Sequence, residues 1–133
     1  MTEQDNIQIV KGIYDAVGRG DIDAILERVI DEVDWAADVA GHAAPWHGPR
    51  VGKQGVASFF QDLGTSIEIS EFTPHGYAAG DGNVQVLVDW TFRPLANDRQ
   101  TSMTMHHFWQ LQEGRVTRFR GSEDSVLTAK AFA

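Results

Sequence analysis

The 133-residue chain contains no cysteine, which removes disulfides, thiolate nucleophiles, iron–sulfur clusters and cysteine-based zinc sites together. Basic residues are also scarce, 11 against 19 acidic ones, for a formal charge of −8. That surplus repels phosphate backbones and anionic head groups, so nucleic acid and membrane surfaces are poor partners. No stretch approaches the ~18 apolar residues of a membrane span. The start, Met1-Thr2-Glu3-Gln4-Asp5, lacks the basic and apolar segments of a signal peptide, which makes a cytoplasmic location the expectation. Missing too are G-x-G-x-x-G, a Walker loop, H-E-x-x-H and G-x-S-x-G, which sets aside dinucleotide, nucleotide triphosphate, zincin and α/β-hydrolase sites. Histidine, carboxylate and tyrosine chemistry is left, with no cofactor expected.

A hydrophobic share of 42% and a charged share of 23% suit one packed domain over residues 1–133. Val10, Ile13, Tyr14 and Val17 recur at helical spacing and predict a first helix, ended by Gly18 and Gly20. Asp21 is placed to cap a second helix carrying Ile22, Ile25, Leu26 and Val29. A third is predicted around Val56, Phe59, Phe60 and Leu63, bounded by Gly52 and Gly55 before it and Gly64 after it. Between the second and third helices come a short strand, Val33 to Ala37, and a loop, Val39 to Arg50. From Ile67 the period becomes two: Val84, Val86, Val88, Trp90 and Phe92 alternate with more polar neighbours. Further strands run from Thr101 to Gln112 and from Arg115 to Gly121, joined at Glu113-Gly114. Helices followed by a meander predict an α+β domain with a curved antiparallel sheet.

Strand parity organises the candidate chemistry. His106 and His107 are neighbours on a strand, so their rings point to opposite faces and do not grip one ion; no metal site is expected. With Phe108 facing the core, His106 and Thr104 share its face, while Met103, Met105, His107 and Trp109 share the other. An apolar second face predicts a homodimer. With Phe119 facing inward, Gly121 and Glu123 do too, which brings Glu123 into the same interior as His106. An imidazole and a carboxylate together suit general acid/base work near neutral pH; the same pair also fits a hydrogen-bonded structural histidine. Asp38, after the first strand, is a candidate third carboxylate or a solvated loop residue. Trp35, Trp46, Trp90, Phe108 and Phe119 are core residues that could also wall an apolar cavity. His42 and His47, in the loop around Trp46, are expected to be exposed.

Several segments resemble the SnoaL-like, ketosteroid isomerase-related branch of the nuclear transport factor two superfamily. They are Gly18 to Ile25, Pro45 to Val56 with Phe59-Phe60, His106-His107-Phe108-Trp109, Glu113 to Val116, and Arg120 with Glu123-Asp124-Ser125. The resemblance implies a cone-shaped sheet wrapped around three helices, a deep apolar pocket and a homodimer. It also implies proton-transfer chemistry, namely isomerisation, cyclisation or dehydration, on an apolar carbonyl-bearing small molecule. A non-catalytic apolar-ligand-binding or dimerisation domain is the alternative. In the ketosteroid isomerase pattern His106 stands where the oxyanion-stabilising acid sits, with Glu123 and Asp38 as the other catalytic candidates. The first-helix tyrosine position corresponds to Ile13, with Tyr14 one residue later and turned ~100° around the helix; Tyr14 is counted with the pocket wall. The base position corresponds to Ala37, beside Asp38, so a true steroid isomerase is not implied. Gly121 after Arg120 likewise departs from the epoxide hydrolase-like relatives, which carry a carboxylate there.

Overall fold

Thr2 opens the first helix, α1 (Glu3–Arg19), by accepting the Asp5 N–H on its hydroxyl while the Asp5 carboxylate accepts the Thr2 N–H. This reciprocal cap satisfies two donors that a helix start leaves unpaired. A computed structural model describes residues 2–38 and 42–133; Met1 and the first three residues of the predicted loop, 39–41, lie outside them. Val10 and Ile13 are buried, as their spacing requires, and α1 stops at Gly20, whose φ of 68° is left-handed and suits glycine. Asp21 then caps α2 (Ile22–Glu27) by accepting the Ala24 N–H at 3.1 Å.

The third helix is longer than its glycines suggested. α3 (Gly52–Ser66) begins at Gly52 and runs through Gly55 and Gly64, because burying Val56 and Phe59 outweighs the ~1 kcal/mol that a helical glycine costs. A fourth helix, α4 (Ser125–Phe132), capped by Asp124, went unpredicted. It buries only Thr128 and Ala131, too few positions to show a period. No helix among the described residues is long and apolar enough to cross a membrane.

Six strands form one curved, unclosed sheet: β1 (Val29–Ala37), β2 (Gly48–Val51), β3 (Ile67–Gly80), β4 (Asn83–Pro94), β5 (Thr101–Gln112) and β6 (Arg115–Ser122), in the order β2-β1-β6-β5-β4-β3. The α+β class holds. The sheet is mixed rather than wholly antiparallel, since β1 pairs with β6 in parallel, Trp35 beside Phe119. β2 occupies part of the segment read as loop. Helices α1 and α3 pack on the inner side, where Val84, Val86, Val88, Trp90 and Phe92 are all at most 2% exposed. The turn Asp81-Gly82 and the turn Glu113-Gly114 both carry two left-handed residues, the geometry that suits a two-residue hairpin.

One bulge decides which face of β5 looks inward. The β5–β6 hairpin starts with Gln112 opposite Arg115 and Leu111 opposite Val116, but Gln110 then faces Arg118. Thr117 is the extra residue. Without it Phe119 would stand opposite Phe108; with it Phe119 faces Trp109 and Gly121 faces His107. Met105, His107, Trp109 and Leu111 therefore point into the molecule, and His106 is exposed.

Candidate functional site

A cavity of about 60 Å³ lies between the inner face of the sheet and helices α1 and α3. All four tryptophans of the chain, Trp35, Trp46, Trp90 and Trp109, line it. Trp35 stacks on Phe119 with ring centres 4.3 Å apart, and Trp109 leans on the same ring at 4.5 Å. Contacts of this kind add about 0.5–1.5 kcal/mol each beyond area burial and hold the wall rigid. Gly121 leaves the room above His107: a Cβ there would come within 3.2 Å of Phe119 and 3.5 Å of the imidazole.

Two polar clusters reach this cavity. In the first, Trp109 Nε1 donates to the Tyr14 hydroxyl at 3.0 Å, and that oxygen lies 2.7 Å from His107 Nδ1. An indole only donates, so the single phenolic proton is free to satisfy Nδ1, which leaves the ring proton of His107 on Nε2. Nε2 has no hydrogen-bond partner among the described residues. Burial pushes the His107 pKa down to about 3, with the Glu123 charge opposing and His106 adding to the shift. Burial likewise pushes the Tyr14 phenol up. Both are neutral at physiological pH.

In the second cluster the Glu123 carboxylate, its side chain 3% exposed, accepts from Trp46 Nε1 at 3.0 Å and from the Thr128 hydroxyl at 2.6 Å. His47 Nε2 lies 3.2 Å away, at ion-pair distance though off the hydrogen-bond line. His47 Nδ1 accepts the Ala44 N–H, so its proton is on Nε2, toward Glu123. Burial raises the Glu123 carboxyl pKa, but the donors from His47, Thr128 and Trp46 outweigh it and hold it below the usual range. The carboxylate is ionised and well satisfied.

The structure places the sequence-predicted residues unevenly. Glu123, Tyr14, Trp35, Trp46, Trp90 and Phe119 line the cavity. His106 and Phe108 do not, because the bulge at Thr117 turns the opposite face of β5 inward; His107 takes the place expected of His106. Asp38 is exposed at the end of β1, its N–H bonded to the Gly121 carbonyl, and is absent from the lining. The apolar stripe that motivated a homodimer is overturned as well: Met105 and Trp109 are 6% and 2% exposed and belong to the core. His47, expected at the surface, is buried on Glu123. Phe59, Phe60, Leu63 and Phe72 also line the cavity; the apolar period of α3 marks the first three as inward-facing. Among the described residues no group of three His, Asp or Glu could hold a metal.

Comparison with known proteins places this geometry in a family. A crystal structure of an NTF2-like protein from Burkholderia xenovorans LB400 superposes with a TM-score of 0.90 at 26% identity, covering 100% of this chain and 99% of that one. TerC, co-crystallised with polyporic acid, gives 0.83 at 19% identity over 96% and 98%. A protein from Xanthomonas campestris pv. campestris provisionally named a polyketide cyclase gives 0.79 at 17% identity over 98% of each. None of the curated proteins matches. The SnoaL-like domain family matches residues 10–119, and the chain belongs to it.

Proposed function

We propose that the cavity takes an apolar carbonyl-bearing small molecule and exchanges a proton next to its carbonyl group, the step shared by isomerisation, cyclisation and dehydration. One observation carries this reading: His107, its Nδ1 taken up by Tyr14, stands in an otherwise apolar wall with a ring N–H to spare. The His107 ring N–H has no hydrogen-bond partner among the described residues, and behind the wall the Nε1–H groups of Trp35 and Trp90 are buried without one. A donor left unpaired in an apolar wall costs about 1–3 kcal/mol, and a carbonyl oxygen is the ligand group that relieves it.

The reaction follows from the two clusters. Glu123, the one lining carboxylate among the described residues, accepts the proton from the α-carbon. The C–H electron pair forms the new C=C bond, the carbonyl pair moves to oxygen, and the His107 N–H stabilises the negative charge that develops there. Reprotonation at carbon completes the exchange. Neutral His107 suits the donor role, and the Tyr14–Trp109 relay holds its tautomer. A carboxylate already bound by several donors is a weak base, so the donor to oxygen has to supply most of the acceleration. That same saturation of Glu123 favours a second reading, an apolar-ligand carrier with no chemistry.

Exchange of the α-hydrogens of β-tetralone in deuterated water separates the two. The enzyme reading expects exchange above the buffer rate, lowered ~10²–10³-fold in His107→Phe. Tetralone binding seen by tryptophan fluorescence, with no exchange above buffer, leaves the carrier reading standing and removes the enzyme one.

A further inference from the structure

Tyr14 and Phe72 each line two hollows: the aromatic cavity and, on their other side, an open groove between α1 and β3. The groove differs from the cavity in carrying cations. Lys11, Asp15 and Arg19 follow one another at four-residue spacing along α1, the spacing of a single helix face, opposite Tyr77 of β3. The Lys11 ammonium sits 5.0 Å from the centre of the Tyr77 ring. It forms no ion pair among the described residues. Arg19 reaches Asp21 only at 3.7 Å, with both side chains about half exposed. In a chain of net charge −8, two of the cations, Lys11 and Arg19, thus line the groove that shares Tyr14 and Phe72 with the aromatic cavity.

Resting on the reading of the cavity as the seat of an apolar carbonyl compound, we propose that the ligand is an amphipathic acid. Its ring system fills the cavity, and a short flexible arm passes Tyr14 and Phe72 to set a carboxylate against Lys11 and Arg19. The interior excludes the opposite orientation: the fixed charge of Glu123 repels an anion at that end, where the low dielectric strengthens the repulsion. The groove compensates an anion and leaves its hydration largely intact. Asp15 lies between the two cations, and its charge limits the gain to several-fold.

Paired probes test this. Naphthylbutanoate and naphthylbutanol share a ring and arm and differ in the terminal charge; calorimetric titration at low ionic strength gives the affinity of each. The acid is expected to bind roughly threefold to tenfold tighter than the alcohol, in line with about 1 kcal/mol for an exposed ion pair. The Lys11→Gln/Arg19→Gln double variant and added salt should each abolish the difference without weakening the alcohol, while Asp15→Asn should widen it. Equal affinities in the unaltered protein, or a preference that survives the double variant, overturn the amphipathic acid and leave the cavity reading intact. Failure of both probes to bind overturns the cavity reading and this inference with it.

Discussion

In one of the cavity's two polar clusters Glu123 collects Trp46, Thr128 and His47; in the other, the chain of donors from Trp109 through Tyr14 ends on His107 with an N–H to spare. Both are buried, and both contain an imidazole and a tryptophan. They differ in what remains uncommitted. The first ties the 44–47 segment to β6 and α4, so its hydrogen bonds hold the fold while they fix the proposed base in place. The second keeps a donor uncommitted beside an apolar space, where a ligand's oxygen can use it.

The sharpest way to break that division is at Glu123. Removing the carboxylate in Glu123→Ala leaves several buried donors without an acceptor, and about 3–5 kcal/mol of unfolding free energy should disappear, measured by denaturant titration. A loss under 1 kcal/mol would show that the cluster does not hold the fold. Tyr14→Phe strands the Trp109 indole and His107 Nδ1, with an expected loss of about 1–3 kcal/mol and a changed near-ultraviolet circular dichroism spectrum.

A pH series sharpens the comparison next. Between the ordinary histidine value of 6.5 and about 3, the unfolded chain binds a proton at residue 107 and the native chain does not. Stability should therefore fall with falling pH in that window, by about 1.4 kcal/mol per unit. Glu123 acts in the same direction, but its contribution is present above the ordinary 4.5 and lost below it. The range from roughly pH 5 to 6.5 consequently isolates His107, and His107→Gln should flatten the slope there. An unchanged slope would contradict a buried neutral imidazole. The smallest effect belongs to His106→Gln, one residue away on the exposed face: stability should stay within about 0.5 kcal/mol with the acid slope intact.

That adjacent pair also marks the boundary of what could be read from the chain. β4 was legible because five apolar residues at period two meet no interruption. The inward set of β5 depends on its neighbours, and β6 carries two buried anchors, Val116 and Phe119, at odd spacing. No regular strand turns both to one side. That mismatch was the one available sign of a bulge, and it moves the candidate imidazole from His106 to His107. Cavity aromatics such as Trp35 and Phe119 were visible as residue types, since either parity keeps them inside. His47 was misplaced because nothing in a loop sequence announces that it closes over a carboxylate 76 positions later.

At 14 residues β3 is the longest strand, and it lies at one edge of the open sheet. A flat apolar edge of that length would template the strands of other copies and seed aggregation. This one is guarded. Glu68 and Glu71 are exposed on it, Pro74 removes a backbone donor, and its pairing with β4 slips twice, between Ile69 and Glu71 and between His75 and Ala78. The charges repel an approaching strand, while the slips twist the edge so that few consecutive backbone groups offer a continuous ladder. An open, strongly curved sheet can thus remain unclosed without the chain becoming prone to fibres.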